Sequence, residues 1–383
     1  MKLKSLFAVM ALSCTLGMTL TACSDNDEPK TDDDDSATLD YTEKNAASWG
    51  NYMVQVAALL RLDANNLYDA WTVSYEGGTP FATSFKAHNG GDYSSALSCI
   101  EQIIEGCADI ANEVGTAKIG DPYQLYISGD TQGALYAVES WYSWHSREDY
   151  SNNILSIRNS YYGTLDGTVS EKSLSALMAN VNSSLDSEVK TAIANASNSI
   201  LAIPQPFRNH INSPESRTAM TACADLEDLL SNKLKAAVNA LGNDPRFQDI
   251  VDTYVDAVVV PTYKSLKEKN AALYQTVVNF KNSPSDANFA TACNAWLEAR
   301  EPWEKSEAFL FGPVDALGLD PNMDSWPLDQ DNIVQILNSG NYDDLNWSEG
   351  DDDATIEAVQ SVRGFHTLEF LLFKDGQPRK VKN

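Results

Sequence analysis

The chain is poor in basic residues, glycine and proline, and each shortage excludes a class of protein. Its 383 residues include 27 lysines and arginines against 54 aspartates and glutamates, which gives a net charge of −27. A surface this negative repels phosphate backbones and therefore excludes a nucleic-acid-binding protein. With 20 glycines, 14 prolines and 43% hydrophobic residues, the chain is neither wholly disordered nor collagen-like. The charge favours cationic ligands, metal ions included.

The six cysteines contain no CxxC pair, so the sequence indicates no zinc cluster. Cys14 falls within an apolar N-terminal stretch, and Cys23 directly follows that stretch. The remaining cysteines are scattered through segments with helical periodicity, and we interpret them as buried structural thiols. They are Cys99, Cys107, Cys223 and Cys293.

The N-terminus has the pattern of an exported lipoprotein. Lys2 and Lys4 precede an apolar stretch at residues 6–20, which is too short to span a bilayer permanently. The stretch ends in Leu-Thr-Ala-Cys, which resembles the cleavage box of lipoprotein signals. We predict a signal peptide at residues 1–22 and membrane attachment through lipid on Cys23.

Acidic runs follow the predicted lipidation site, at residues 24–28 and 31–36. Like charges repel one another, so we interpret residues 23–40 as an extended acidic tether. An acidic stretch at this place also resembles export tags that carry lipoproteins to the outer face; a plain solvated linker is the alternative. We expect a cell-envelope protein, lipid-anchored in the outer membrane and either periplasmic or surface-exposed.

Beyond residue 40, apolar residues recur every three or four positions, which is the period of helices packed on one face. Loops with glycine, proline and asparagine separate these segments, and no alternating run is long enough for a sheet. The pattern predicts an all-α fold made of helical bundles. The periodic segments are Glu43–Trp71, Ala96–Ala111, Leu174–Ile203, Ala219–Leu241, Phe247–Phe280 and Ala354–Phe373.

Two parts of the sequence repeat in parallel order. The tripeptide Asp-Ala-Asn at residues 63–65 leads to Trp71, and the same tripeptide at 286–288 leads to Trp296. An aromatic or histidine residue three positions before a glutamate follows each tryptophan at a similar distance. Because sequence repeats usually mean repeated structural units, we predict two similar four-helix-bundle domains.

The first group of candidate site residues lies in the segment Gly364–Phe373. His366 and Glu369 are three residues apart, so they share one face of a helix that is apolar on nearly all sides. A buried glutamate needs a cation or strong hydrogen-bond donors. Metal ligation is one interpretation; a glutamate paired with an arginine, next to a core histidine, is the structural alternative.

The second group lies on the helix that contains Pro302, where we expect a kink. Arg300, Trp303 and Glu307 fall along one stripe of this helix, and Glu304 pairs with Glu307 at a spacing of three. A carboxylate pair facing a His/Glu pair is how bundle proteins build metal sites. Arg300 could equally neutralise a buried carboxylate.

These two segments resemble the marked segments of the imelysin-like family. GFHTLEFLLF resembles its GxHxxE motif, and AWLEAREPWEKSEAFLFGPV resembles its other marked segment; residues 139–163 and 203–207 add to the similarity. The resemblance implies an all-helical fold of two related four-helix bundles with a functional site between them. It also implies an exported bacterial protein associated with iron uptake, in a family of which some members were labelled metallopeptidases.

The resemblance also implies which residues form the site. It places His366 and Glu369 at the centre and Arg300, Ser306 and Glu307 on the facing segment. The other half of the chain contributes matching polar positions, which are Glu139, Ser143 and Asp149. Glu304 is added from its own spacing to Glu307.

The order of the segments departs from the family pattern. GxHxxE lies near the C-terminus here, whereas in most members it lies in the first half. We predict a circular permutation with its joint near Gly242–Asp244, which requires chain ends that lie close in space. The predicted domains are residues 41–243, which resemble the family's second half, and residues 244–383, which carry both marked segments.

Metal capture is the activity that we expect, with iron favoured and zinc or copper left open. Components of outer-membrane iron uptake are then the expected partners. A metallopeptidase is disfavoured because HExxH and HxxEH are both absent. The further alternative is a cleft between the domains that binds a small organic ligand or a partner protein, lined by Arg300, Trp303 and Trp326.

Overall fold

The computed structural model describes residues 39–89, 91, 93–348 and 350–382. The predicted signal peptide, Cys23 and the tether up to residue 38 lie outside the described residues. The described residues belong to one compact unit. Within them, no helix combines the length and the apolar character that crossing a membrane requires.

Regular structure in the described part of the chain is almost entirely helical, which confirms the predicted all-α class. The exception is a short antiparallel pair of strands, β1 (Phe373–Lys374) and β2 (Gln377–Pro378). The α-helices before residue 240 are α1 (Ala46–Thr72), α2 (Phe81–Lys86), α3 (Ala96–Glu113), α4 (Gly120–Ser128), α5 (Thr131–Tyr136), α6 (Ser146–Tyr162), α7 (Leu174–Val181), α8 (Ser183–Leu201), α9 (Pro214–Asp228) and α10 (Lys235–Asn239). Those after it are α11 (Arg246–Thr253), α12 (Val260–Asn282), α13 (Asp286–Glu304), α14 (Pro313–Ala316), α15 (Leu319–Asp324), α16 (Gln330–Ser339), α17 (Asp353–Gln360) and α18 (Gly364–Leu372).

Wider π-helical turns continue three of these helices without a break. They are Val114–Lys118, Leu229–Leu234 and Tyr254–Val259. Short 3₁₀ turns occur at Phe207–Asn209, Glu307–Phe309 and Asp343–Leu345. The first π turn, which follows α3, contains Lys118.

The long helices pack into two groups. The first group contains α1, α12, α13 and α18, and the second contains α3, α6, α8 and α9. The π turn after α11 joins α11 to α12, so that one helical run packs on α3 with its first part and on α1 and α13 with its second. Helices α6 and α13 pack against each other where the groups meet. Helix α1, from the first half of the chain, therefore packs among helices of the second half, and the domain division at residue 243 stays a prediction.

The two ends of the folded body lie side by side. Thr42 and Lys382 form a parallel bridge, and Arg379 Nη1 donates to the carbonyl oxygen of Leu39 at 2.7 Å. Lys382 Nζ also donates to Asp40 Oδ2 at 2.5 Å. This closeness is the condition that the permutation hypothesis requires, and the permutation itself stays a prediction.

The helix predicted over residues 354–373 is two helices, α17 and α18. Gly364 begins α18 with a φ of 86°, in the left-handed region, and a Cβ there would lie 2.6 Å from the carbonyl oxygen of Met323. A continuous helix across Gly364 is impossible with this backbone. Asp352 therefore caps α17 through the N–H of Thr355, and not the helix that carries His366.

The prediction of buried, unpaired thiols is confirmed for the four cysteines in the described part of the chain. Burial raises the pKa of Cys99, Cys107 and Cys223 to about 12, so these groups stay neutral thiols at neutral pH.

Candidate functional site

His366 and Glu369 share one face of α18 and are fully buried. His366 Nδ1 lies 3.1 Å from Glu369 Oε2, as the spacing of three residues predicts. Glu369 Oε1 accepts two hydrogen bonds from Ser143, from its backbone N–H at 2.7 Å and its hydroxyl at 2.6 Å. The loop between α5 and α6 is thereby tied to α18.

Arg300, on α13, is the hub of the site and has no exposed surface. Its Nη2 lies 2.7 Å from Glu139 Oε1 and 2.6 Å from Glu304 Oε1. Its Nε lies 3.5 Å from Asp149 Oδ2, and its Nη1 donates to Asp324 Oδ1. One guanidinium therefore balances carboxylates from four parts of the chain, which its planar array of five N–H donors makes possible.

Asp324 ends α15 and contacts three of the other site residues. Its Oδ2 accepts a hydrogen bond from the indole N–H of Trp303 at 2.7 Å. Its Oδ1 accepts from Arg300 and lies 3.1 Å from His366 Nε2. Trp326, two residues further along, stacks edgewise on His366 with ring centroids 4.9 Å apart.

The loop before α6 holds its polar groups in an uncommon backbone conformation. Ser140 and Trp144 have positive φ angles of 52° and 61°. The Ser140 hydroxyl donates to Asp149 Oδ2 at 2.5 Å. Asp149 lies in the first turn of α6, where the helix dipole favours negative charge. Such outliers persist where surrounding contacts fix them and often occur at functional sites.

A cleft of about 480 Å³ opens beside this cluster. Lys118 stands in its wall, with Nζ 3.0 Å from Glu139 Oε2 and 3.6 Å from Glu113 Oε1. The carboxyl groups and aromatic rings that line the cleft are those of Glu113, Asp121, Glu139, Glu307, Asp320, Asp324, Tyr136 and Trp326.

The surroundings of His366 favour its positively charged form. Burial and the nearby charge of Arg300 would lower its pKa, but hydrogen bonds to Asp324, Glu139 and Glu369 outweigh them and raise the pKa well above its ordinary value. As an imidazolium, His366 donates from both ring nitrogens, which leaves neither with a free lone pair.

The carboxyl groups of the cluster divide by their environment. Burial alone would raise the pKa of Glu139, but Lys118, His366 and Arg300 hold it well below its ordinary value. Burial alone would also raise the pKa of Asp324, and Arg300 and His366 lower it. Both groups are therefore carboxylates at neutral pH.

Three further acids have less compensation from nearby positive charges. Burial raises the pKa of Glu304 and of Glu307 well above the ordinary value, despite Arg300 and Lys118 nearby. Asp320 is an exposed residue, but protein atoms pack around its carboxyl group. This packing and the negative charge of Asp324 raise the pKa of Asp320 to about 7. The positive charges near Glu304, Glu307 and Asp320 are too few to offset the effect of burial on their pKa values.

The structure brings most of the predicted site residues into one connected cluster. His366, Glu369, Arg300, Glu304, Glu139, Ser143 and Asp149 belong to it. Glu307 lies in the cleft wall beside it. Ser306 takes a different place, because its hydroxyl donates to the carbonyl oxygen of Trp303 at 2.7 Å in the turn after α13.

The sequence-based prediction missed Asp324 and Lys118. A weak signal existed for Asp324, because Asp320 and Asp324 are four residues apart and can share a helical face. Lys118 carried no signal, since it reaches the cleft through a π-helical turn. Of the residues predicted to line a cleft, Trp326 does so, while Arg300 and Trp303 are fully buried.

Among the described residues, two sets of side chains could hold a metal ion. Glu139, Asp324 and His366 form one set, and Glu304, Glu307 and Asp324 form the other. In each set, one ligand atom per residue lies within 4.8 Å of the others. Asp324 belongs to both sets.

Comparison with known proteins gives the family. The imelysin family model (peptidase M75) matches residues 25–233 and 259–383. A crystal structure of an imelysin peptidase from Bacteroides ovatus superposes with a TM-score of 0.90 at 64% identity, covering 91% of this chain and all of that one. Iron-regulated protein A of Synechococcus elongatus is 31% identical over 161 residues, which are 42% of this chain and 37% of that protein. The matches to the family model cover most of the sequence, and the chain therefore belongs to the imelysin family.

Proposed function

We propose that the protein is a cell-envelope lipoprotein that captures a metal ion, iron favoured, or a metal complex at the cleft beside Arg300. The observation that carries this proposal is the excess of carboxyl groups over cationic groups in the cleft and the buried cluster beside it. The acids are Glu139, Asp149, Glu304, Glu307, Asp320, Asp324 and Glu369, and the cations are Arg300, Lys118 and His366.

The expected location of the protein and the name of one relative support the same function. A signal peptide and lipid on Cys23 would hold the cleft outside the cytoplasm, where a nutrient metal is first met. The name of one relative, iron-regulated protein A, ties that protein to iron. A cleft of about 480 Å³ exceeds what a bare ion needs, so a chelated metal fits as well.

The binding of a small organic molecule is the second candidate. The rings of Tyr136 and Trp326 line the cleft and offer apolar faces beside its carboxylates. Such a molecule would need a cationic group to match the charge. Peptide hydrolysis has less support, because both ring nitrogens of His366 already contact carboxyl groups and neither is free to bind zinc.

Metal content tests the proposal directly. The mature chain made without lipid, residues 24–383, is incubated with ferric citrate, separated from free iron and measured by elemental analysis. Asp324→Asn is the informative variant because Asp324 belongs to both possible ligand sets. Glu188→Gln is the control, since Glu188 is an exposed acid that pairs with Lys233 on the surface.

Near-stoichiometric iron in the wild type and the control, with a loss in Asp324→Asn, supports metal capture. A thermal melt of each protein shows whether the variant is folded. If the folded wild type retains no iron, and neither zinc nor copper replaces it, metal capture is wrong and the organic-ligand function takes its place.

A further inference from the structure

The two possible ligand sets differ in how accessible their lone pairs are. In the set with His366, both ring nitrogens already contact carboxyl groups: Nδ1 lies 3.1 Å from Glu369 Oε2, and Nε2 lies 3.1 Å from Asp324 Oδ1 and 3.3 Å from Glu139 Oε1. Arg300 Nη2 lies 3.3 Å from His366 Nε2, so a guanidinium already occupies the space beside that nitrogen. A metal bound to either ring nitrogen would have to break these contacts.

The set with Glu307 also contacts Arg300, through Glu304 and Asp324, but Glu307 itself faces the cleft. Glu307 is 7% exposed, lines the cleft and forms neither a hydrogen bond nor an ion pair through its carboxyl group within the described residues. A buried carboxyl group without a partner is costly, and a ligand in the cleft would remove that cost.

The other two members of this set, Glu304 and Asp324, are oriented by hydrogen bonds from neighbouring side chains. Asn153 Nδ2 donates to Glu304 Oε2 at 2.6 Å, and Trp303 donates to Asp324 Oδ2. Glu304 Oε1 lies 2.6 Å from Arg300 Nη2 but accepts no hydrogen bond. These contacts orient the carboxylates and leave lone pairs on them, as outer-sphere contacts do at metal sites.

We propose that the cation binds to the carboxylates of Glu304, Glu307 and Asp324, and that His366 is a positioning residue that holds Asp324. The inference rests on the proposed function and names its ligands. Separations of up to 4.8 Å between the ligand atoms suit a single ion about 2.4 Å from each oxygen. A set of oxygen ligands alone selects hard cations such as Mn²⁺, Ca²⁺ or Fe³⁺.

The positive charge of Lys118 opposes the binding of such a cation. Its ammonium group stands in the same cleft wall, bonded to Glu139 at 3.0 Å. A divalent ion near Glu307 is repelled by this charge at short range. Removing the charge while keeping a hydrogen-bond donor should therefore strengthen binding.

Mn²⁺ is the probe for the test, because it is a hard cation that electron paramagnetic resonance detects. Titration of the wild type, Glu307→Gln, Lys118→Gln and the control Glu188→Gln gives four dissociation constants. We expect Glu307→Gln to weaken binding by about tenfold or more, since one charged ligand is lost. We expect Lys118→Gln to tighten it by about threefold or more, and the control to match the wild type.

A second measurement separates the inference from the function on which it rests. Electron spin echo modulation of Mn²⁺ bound to the wild type should lack the coupling of a directly bound imidazole nitrogen. If that coupling is present, or if Glu307→Gln binds like the control, the inference is wrong while metal capture stands. If the wild type binds neither Mn²⁺ nor iron, both are wrong.

Discussion

Ser143 offers both its backbone N–H and its hydroxyl to a single oxygen, Oε1 of Glu369, at 2.7 and 2.6 Å. The other oxygen of Glu369 contacts His366. A fully buried carboxylate is thus compensated from two directions, by a loop on one side and by its own helix on the other. The GxHxxE motif in this chain therefore connects segments that are far apart in sequence.

The loop side of this connection predicts a stability effect. In Ser143→Ala the hydroxyl donor is lost and the N–H donor remains, so we expect the free energy of unfolding to fall by about 1–2 kcal/mol. Urea denaturation of the variant and the wild type measures the difference. Exposed Ser184 provides the control, and Ser184→Ala should change little; equal stability of Ser143→Ala and wild type would contradict the prediction.

Removal of the Arg300 charge should be more damaging. Arg300→Met leaves the buried carboxylates Glu139, Glu304 and Asp324 without their shared cation, and we expect a loss of about 3–5 kcal/mol. Arg300→Lys keeps the charge but loses the fork of donors, so its stability should lie between the two. Arg246→Met is the control, because Arg246 pairs with the nearby Asp244 on the surface, away from the site. Unfolding curves that rank the variants differently would refute this account of the hub.

Asp40 ties the two ends of the body together, and its pKa predicts a pH effect. Partial burial would raise the pKa of Asp40, but hydrogen bonds from Lys382 and Lys374 lower it below its ordinary value of 3.8. A lowered pKa in the folded state means that Asp40 stabilises the protein above about pH 4 and that this contribution disappears as the pH falls through the folded-state pKa.

Thermal melts from pH 7 down to pH 3 therefore compare the wild type with Asp40→Asn. The wild type should be more stable at neutral pH, and the difference should shrink toward zero in acid. A difference that grows as the pH falls would show that the sign is wrong. The size should be modest because the ion pairs are partly exposed.

Much of this molecule could be predicted from sequence because its local patterns are strong. The apolar period gave the helices, and the spacing of three placed His366 beside Glu369. The break before α18 could not be predicted, because it depends on a carbonyl group of Met323 that packs against Gly364. Local propensity does not contain such a tertiary contact.

The residues around His366 and Glu369 were harder to predict from sequence than this central pair itself. Asp324 joins it only because α15 packs against α18, and Lys118 joins it only because a π turn rotates the end of α3. Arg300 was foreseen as a possible partner for one carboxylate, and the structure has it balancing several. The residue types indicated a cluster of buried charges, whereas long-range packing determined how many charged groups belong to it.

Lipidation of Cys23 lies outside the described residues and is tested separately. In Cys23→Ser the acyl acceptor is lost, so the protein should leave the membrane fraction and no longer incorporate labelled palmitate. Cys293→Ser, at a buried thiol, is the control for a general effect of losing a cysteine. Membrane attachment that survives Cys23→Ser would refute the lipoprotein hypothesis.

The proposed permutation of segment order makes the final prediction. The family model leaves residues 234–258 unmatched, and this gap contains the joint predicted near Gly242–Asp244. The ends that a permutation would connect are already adjacent, because the N–H of Lys382 lies 3.4 Å from the carbonyl oxygen of Tyr41. A chain with the order 244–382, a short glycine-serine linker and then 39–243 should therefore fold, since each contact is kept.

Circular dichroism and thermal melting measure the outcome, with iron or Mn²⁺ binding as the functional readout. The control is a reordered chain with the same linker and its new ends inside α12, between residues 270 and 271. That break divides a buried helix that packs on α1 and α13, so the control should be much less stable. If the chain opened near residue 243 is as unstable as the control, the proposed joint is in the wrong place.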